Sequence, residues 1–549
     1  GVATFKVSAT DLSTPTLGIS NVRLGVNAGN SIVSGGNYNT VVGDEAGTAI
    51  NTGDNNSFFG YEAGDANNTG SNNTVMGYGA YSTATSGAQN TIVGAQAAET
   101  YAGNYSTMIG QAAGQLSTTA GSLVLVGQGA GRNKTTGNYS IHIGESAGFG
   151  ATTSTNNTGA SNVSVGGISL YMLTTGTSNV AVGHEAQRYT TTGYNNSSFG
   201  HFAARNTATG NLNTAIGNES LYTNVANVGN TAIGAYALYD AVSNYNTAVG
   251  YAALQNVTSS ADNVGFGTNA GDQTSTGGSN TFLGRSSGQY TVTGSRNTCV
   301  GALAGRGSSG NSHTDNTFVG YNSGGAIVTG IQNTLIGGLA GDSITTGNRN
   351  TILGYNSANS LADGSDNVAL GNEVEVAASV ANTITLGSGI SATGSNDFSF
   401  GKASNVVTND FDADANWSRS SDERLKKNIV NQSLGLDFIN DLRTVKYNWK
   451  PSNELDASDA QLAHLRRQDA DGNVINDMNT TVTMHNFIAQ EVKTALDTAG
   501  VSSFGGWKED DFGVQQVSRE MFVIPLVKAV QELSTQLDAA LARITTLEG

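Results

Sequence analysis

Cysteine, proline, tryptophan and charge are all scarce in this chain of 549 residues, which holds 1 Cys, 3 Pro and 3 Trp and is only 12% Asp, Glu, Lys and Arg. Each scarcity excludes something. The lone Cys299 rules out a disulfide framework and any multi-cysteine metal site. No apolar run approaches ~18 residues, so no segment is expected to span a membrane. Glycine is abundant at 73 residues, but it lacks a three-residue period and proline partners, so the chain is not collagen. Positive charge is short: 25 Lys+Arg against 42 Asp+Glu leave a net charge of −17, which argues against a nucleic-acid surface. The chain opens at Gly1 with neither an initiator Met nor a signal peptide. A fragment or a processed product is therefore expected, and its targeting is not legible.

The average composition hides a boundary. Residues 1–410 carry 11 Lys+Arg and 21 Asp+Glu, whereas residues 411–549, a third as many, carry 14 and 21. Of the 73 Gly, 66 precede residue 411. A change this abrupt marks two architectures.

The first is a repeat array, and the repeat decides its fold. The unit reads N-T-x-h-G-x-x-A-G, as in NTVVGDEAG, NTAIGAYAL and NTLIGGLAG, with 23 anchor glycines from Gly25 to Gly401. The usual spacing is 17 residues; Gly144–Gly166 and Gly301–Gly320 are 22 and 19 apart, where loops should bulge. The residue before the anchor is apolar in all 23 units (Val42, Phe59, Met76, Ile233, Leu353), while the one before that is mixed (Phe58, His142, Ser164, Ala215). That alternation reads as a strand with one side buried and one not. The third residue after the anchor is Ala or Ser in 21 of 23, which implies close backbone approach, and Asn opens the unit in 18 of 23. Stacked rungs would align those Asn side chains in a ladder of amide hydrogen bonds, and Gly and Asn would supply positive φ angles at the corners.

A 17-residue unit of short strands and turns cannot bury its own apolar face and must stack on its neighbours. The fold class expected is therefore mainly β, with an elongated β-solenoid or β-roll shaft over residues 21–405 after a lead-in at 1–20. At ~4.8 Å per rung the shaft would run about 110 Å. Such an array resembles the head repeats of trimeric autotransporter adhesins and the shafts of phage tail fibres, which implies a homotrimer. The 17-residue period is longer than the common adhesin head repeat.

After a junction at 406–420 come four motifs in order: S-D-E-R-L-K-K-N-I from Ser421, VKYNWK from Val445, HNFIAQEVK from His485 and VIPLVKAVQEL from Val523. Together they make residues 421–549 resemble the intramolecular chaperone domain of endosialidase-type phage tailspikes, here a smaller α+β domain. The family's usual Gly before F-I-A-Q-E-V is replaced by Asn486. The resemblance implies that this domain assists trimerisation of the β fibre and then cuts itself off between Ser420 and Ser421. It implies a Ser–Lys dyad with Ser421 as nucleophile and Lys426 as base, a single-turnover autoproteolytic serine endopeptidase that needs no cofactor or metal.

The residues suit that chemistry. A serine hydroxyl is a poor nucleophile until a neighbour takes its proton, and Lys426, five residues on, is within reach across one turn. A lysine serves as base only if burial or a nearby cation depresses its pKa; Lys427 and Arg424 are candidate cations. The plainer reading of S-D-E-R is a helix start with Ser421 as N-cap; the three companion motifs outweigh it.

The last segment carries a partner signal. Leu526, Val530, Leu533, Leu537, Ala540, Ile544 and Leu547 are spaced 4, 3, 4, 3, 4, 3, an a/d seam of about three heptads that points to a trimeric coiled coil. Pro525 suits an early helical position.

Other signals are set aside. Asp412, Asp414, Asn416 and Glu423 fall at positions 1, 3, 5 and 12 of a calcium loop, but position 6, which should be Gly, is Trp417. His142, His184, His201 and His313 sit on separate rungs and are expected at the surface. Cys299 reads as a small apolar residue. The resulting expectation is a structural fibre for host-cell attachment. Its partners are two further copies of itself, a host-surface receptor of glycan type, and a virion tail or baseplate through upstream sequence. The fibre would be located on the virion tail. The alternative is a bacterial trimeric surface adhesin, located on the cell surface, using the same chaperone.

Overall fold

The computed structural model describes residues 17–152, 157–392, 394–403, 405–410, 414–418, 423–468, 474–475, 480–481 and 483–549. The chain divides into two compact units, Gly1–Ser420 and Ser421–Gly549.

The first unit is a parallel β-solenoid. Three-residue strands recur from Val22–Leu24 to Val368–Leu370, followed by Ile384–Ser388 and Asp397–Lys402, one strand ending at or running through each anchor glycine. Every strand pairs in parallel with the next at a constant register, as in Thr214↔Thr231, Ala215↔Ala232 and Ile216↔Ile233. The two long repeats keep this register, with Ile141↔Val163 and Thr298↔Thr317, so their extra residues leave the sheet undisturbed. The array ends where Asp397–Lys402 turns antiparallel onto Asn405–Asp410, which pairs with Asp414–Ser418.

The anchor glycine is obligatory for two reasons. Gly234 has φ +130°, a region that L side chains rarely adopt, and a Cβ there would sit 2.4 Å from the carbonyl oxygen of Gly250 on the next rung. The small residue three positions on is buried in rung after rung (Ala46, Ala63, Ala237, Ala340), where it permits close packing within the coil.

The asparagine ladder forms. Asn280 shows the full pattern: its Nδ2 donates to Asn263 Oδ1 (3.1 Å) and to the Gly294 carbonyl (2.9 Å), while its Oδ1 accepts from the backbone N–H (2.9 Å) and Nδ2 (3.0 Å) of Asn297. Both ends of the buried amide are thus satisfied by neighbouring rungs. The ladder is interrupted at Ser106, Leu123 and Ser140, where Ser106 Oγ accepts the Leu123 N–H instead (3.0 Å).

The buried side of each strand is the mixed one. Val41, Phe58, Ala215, Cys299 and Phe318, all two before the anchor, are fully buried. The constant apolar residue next to the anchor faces out: Met76 is 49% exposed and Phe266 53%. The interior is lined by small or apolar residues in two long runs, Ala28–Ala130 and Ala203–Ala392. Between them polar side chains enter the interior, with Lys134, His142, Asn157 and Ser164 buried next to a short apolar cluster of Leu170, Leu173, Ala181 and Ala186. The surface placement expected for His142 and His313 is overturned: both are fully buried, because their strand or turn position points into the coil. His184 and His201 are exposed and stack at 5.5 Å between ring centroids.

The second unit is a small α+β body. Its helices are α1 (Leu436–Asn440), α2 (Ala489–Thr498) and α3 (Val523–Glu548). Its core joins Leu434 and Phe438 to Val492, Ala495, Leu496 and Phe522. No helix among the described residues is long and apolar enough to cross a membrane.

Candidate functional site

Ser420 and Ser421 lie outside the described residues. The motif that follows is described from Glu423, where Glu423–Leu425 forms one 3₁₀ turn closed by the Lys426 N–H on the Glu423 carbonyl (2.9 Å). Lys426 and its neighbours Arg424 and Lys427 are exposed. Of the calcium-like spacing, Asp412 also lies outside the described residues.

The companion motifs converge in space. The VKY of VKYNWK forms a strand, Val445–Tyr447, and pairs antiparallel with Met484–Asn486, which carries the start of HNFIAQEVK: Val445↔Asn486, Lys446↔His485, Tyr447↔Met484. The third motif then runs into α2, which the Arg443–Glu491 ion pair ties back to the segment just before VKYNWK. The fourth motif opens α3, and its Glu532 accepts the N–H of Leu436 at the start of α1 (2.7 Å). That hydrogen bond holds the Glu532 carboxyl below its usual range, with Lys528 assisting. Segments almost 100 residues apart in sequence therefore fix one another. Asn486 accepts the N–H of Phe487 on its own Oδ1 (2.9 Å).

Beside this strand pair runs a groove of about 410 Å³ lined by Thr444, Val445, Lys446, His485, Phe487 and Arg519. Sequence reasoning did not single it out, because its lining comes from three separate segments that share no spacing. Arg519 reaches the His485 carbonyl (3.5 Å), and Lys446 and Arg519 place two cations on the groove in a chain that is acidic as a whole.

Helix α3 is anchored only at its start. Pro525 and Ala529 are its buried residues. The seam read from the sequence is in place but uncovered: Leu526 is 51% exposed, Leu533 49% and Leu537 60%.

In the shaft, a small enclosed cavity of about 10 Å³, room for one water, is lined by Lys134, His142, Asn157, Gly159 and Leu173. The Lys134 ammonium donates to the Gly159 carbonyl, and burial pulls its pKa down to about 8. The His142 Nδ1 meets Ser164 Oγ (2.7 Å); burial, with Lys134 nearby, lowers its pKa to about 3.

No curated protein matches the chain. A peptidase family model, described as the chaperone of endosialidase, matches residues 421–501, so the second unit opens on the first matched residue and the chain joins an elongated β-solenoid to an endosialidase-type chaperone sequence.

Proposed function

We propose that the chain is the shaft and helper of a homotrimeric virion tail fibre or tailspike. The shaft attaches the particle to a glycan on the host-cell surface. The C-terminal unit assists trimer formation and then cuts itself off between Ser420 and Ser421. The observation that carries this reading is a coincidence of boundaries: the compact units part at Ser420/Ser421, and the family match begins at residue 421. The uncovered seam on α3 supports three chains. Exposed tyrosines following the anchor glycines, such as Tyr251, Tyr321 and Tyr355, support a sugar ligand, since their amphipathic rings suit one.

The chemistry needs no outside substrate. The Lys426 amine takes the proton of Ser421 Oγ, which attacks the Ser420 carbonyl carbon. The C–N bond breaks as the Ser421 nitrogen accepts that proton, leaving an ester between Ser420 and Ser421 Oγ. Water hydrolyses the ester to a Ser420 carboxylate and a free Ser421 hydroxyl and amine. Because the nucleophile adjoins its target, proximity supplies much of the rate, and each chain reacts once.

Denaturing electrophoresis with intact-mass analysis tests this. Wild-type protein is expected as fragments of 420 and 129 residues (549 − 420). Ser421→Ala should stay whole, and Lys426→Ala should cut about 10²–10⁴-fold more slowly. A wild-type chain that remains intact after folding sinks the proteolytic reading; unimpaired cutting by Lys426→Ala removes the dyad.

A further inference from the structure

Where the asparagine ladder is interrupted, the shaft buries a cation in its place. In regular rungs the ladder amide caps a carbonyl of the next rung: Asn90 Nδ2 donates to Gly103 (3.0 Å) and Asn162 Nδ2 to Gly176 (2.9 Å). Gly159 stands in the same column, since a Cβ on Gly137 would strike its carbonyl just as a Cβ on Gly159 would strike that of Gly176. Ser140, which takes the ladder position here, turns its hydroxyl to the Asn138 carbonyl (3.4 Å). The Lys134 ammonium donates to the Gly159 carbonyl instead. An amide does this without charge, whereas an ammonium brings a full positive charge and two further N–H groups. Lys134 is only 3% exposed, and the Gly159 carbonyl is its single hydrogen-bond partner among the described residues.

No carboxylate answers that charge. Between Glu99 and Glu185 the chain has one acidic residue, Glu145, and it is exposed. A buried charge without a partner costs several kcal/mol. The cavity beside the ammonium, of about 10 Å³, is lined by Lys134, His142, Asn157, Gly159, Leu173 and Thr174 among others. His142 turns Nδ1 to Ser164 Oγ (2.7 Å), while its Nε2 is buried with no hydrogen-bond partner among the described residues. With the Ser164 hydroxyl donating to Nδ1, the ring proton sits on Nε2, a second donor beside the ammonium. Burial keeps this ring neutral, at about 3, and leaves Lys134, at about 8, mostly charged at neutral pH. The cavity therefore offers donors and one positive charge, which repels a metal cation. Its size is that of a single water-sized sphere, too small for sulfate, phosphate or a carboxylate.

We infer that this cavity is a site for one monatomic anion, a halide such as chloride, held between Lys134 Nζ and His142 Nε2. The ion is the internal counter-charge of Lys134. It neutralises the ammonium beside the 22-residue repeat Gly144–Gly166, where the amide ladder is missing, and so keeps the rungs on either side stacked. A water in the same place would meet the donors but leave the charge unanswered. The inference is independent of what the shaft attaches to and of how the C-terminal unit acts.

Bromide substitution in the full chain tests it. Crystals soaked in sodium bromide should show, in anomalous diffraction at the bromine edge, a peak in contact with Lys134 Nζ and His142 Nε2. In solution, replacing chloride by gluconate at fixed ionic strength should lower the melting temperature of the wild-type shaft by about 2 °C or more. Lys134→Met, which keeps the length of the stem and drops the charge, should be indifferent to the exchange. A cavity without bromide overturns the inference, and this arm does not depend on any variant folding. Bromide confined to the exterior is an adventitious ion only and overturns it equally. A chloride dependence of the same size in Lys134→Met places the salt effect elsewhere and also sinks the site.

Discussion

Two histidines point into the shaft, and their protonation is coupled to its stability. Burial holds His142 at about 3 and His313 at about 4, against about 6.5 in an unfolded chain. His142 faces Lys134 and Ser164; His313 lies against Thr291 and Asn297. As the pH falls below 6.5 the unfolded state takes up protons that the folded rungs refuse, so stability falls with pH until about 3 to 4 and then levels. Lys134, held near 8 against 10.5, adds the same sign in another window, since stability rises as pH increases from 8 to 10.5. The melting temperature of the shaft should therefore drop between pH 6.5 and 4. Replacing both histidines with Ala, the inward residue of Ala215 and its neighbours, should flatten that slope even if it lowers the plateau. Thermal melts across pH decide it; an equally steep loss in the double variant assigns the acid sensitivity to carboxylates.

At the scale of the rung, the ladder asparagines set the cost of an error. Removing Asn263 strips the acceptor from the backbone N–H (3.0 Å) and Nδ2 (3.1 Å) of Asn280 and the donor from the Gly277 carbonyl (3.1 Å). Two buried donors left without partners cost about 1–3 kcal/mol each, so Asn263→Ala is expected to destabilise by about 2–6 kcal/mol. Hydrogen exchange should show it as local opening of the strands Val264–Phe266 and Thr281–Leu283; protection equal to wild type would mean that water replaces the amide. A second ladder adds to this one on the surface: Tyr222 and Tyr239 stack at 5.0 Å, Phe149 and Tyr171 at 5.0 Å, and the Arg205 guanidinium lies over Tyr189, Phe202 and Tyr222. Their ring faces are spent on one another, so this column is stabilising structure.

The rung was legible in the sequence because its needs are singular. Only glycine fits at Gly234, and Ala or Ser stands three positions on in 21 of 23 units, so period, strand and asparagine ladder could be read directly. The corners were less so. Positive φ falls to Tyr38, Ala204, Leu221 and Leu254 as well as to Gly and Asn, since hydrogen bonds from adjacent rungs impose a conformation that the residue would not choose. Alternation alone also could not tell inside from outside. Ala215 and Ser164 are fully buried while Ile216 is 39% exposed, because the coil is too thin for large side chains along its whole interior. His142 and His313 looked like surface residues for the same reason. In the C-terminal unit the motifs gave the family, but the pairing of VKY with MHN and the basic groove depend on contacts between distant segments that spacing does not encode.

For the whole molecule the central problem is timing. A helper cut off before assembly is wasted, because an unassembled shaft exposes its full outward face and is prone to aggregate. Cleavage should then wait for three chains, and α3 is suited to report them. Beyond Glu532 every residue of α3 is exposed, and helical stability in water comes mostly from packing of an apolar face. Its seam would be ordered only by partner helices, while its first turns are fixed by the buried Pro525 and Ala529 and by Glu532 on the Leu436 N–H of α1. The gate proposed is that helix pairing governs a serine more than 100 residues away in sequence. On the proposed reading, loss of the helper would leave the shaft to re-register 23 rungs in each of three chains unaided, which would raise the barrier to unfolding without adding a contact. If the seam is the gate, Leu533→Asp, Leu537→Asp should abolish cutting while Ser421 and Lys426 are untouched, and circular dichroism should show the rest of the unit folded. Restoring apolar residues as Leu533→Ile, Leu537→Ile should restore cutting. Efficient cleavage by the Asp double variant, shown by sedimentation to be monomeric, would remove the gate and leave a dyad that fires as soon as its own chain folds.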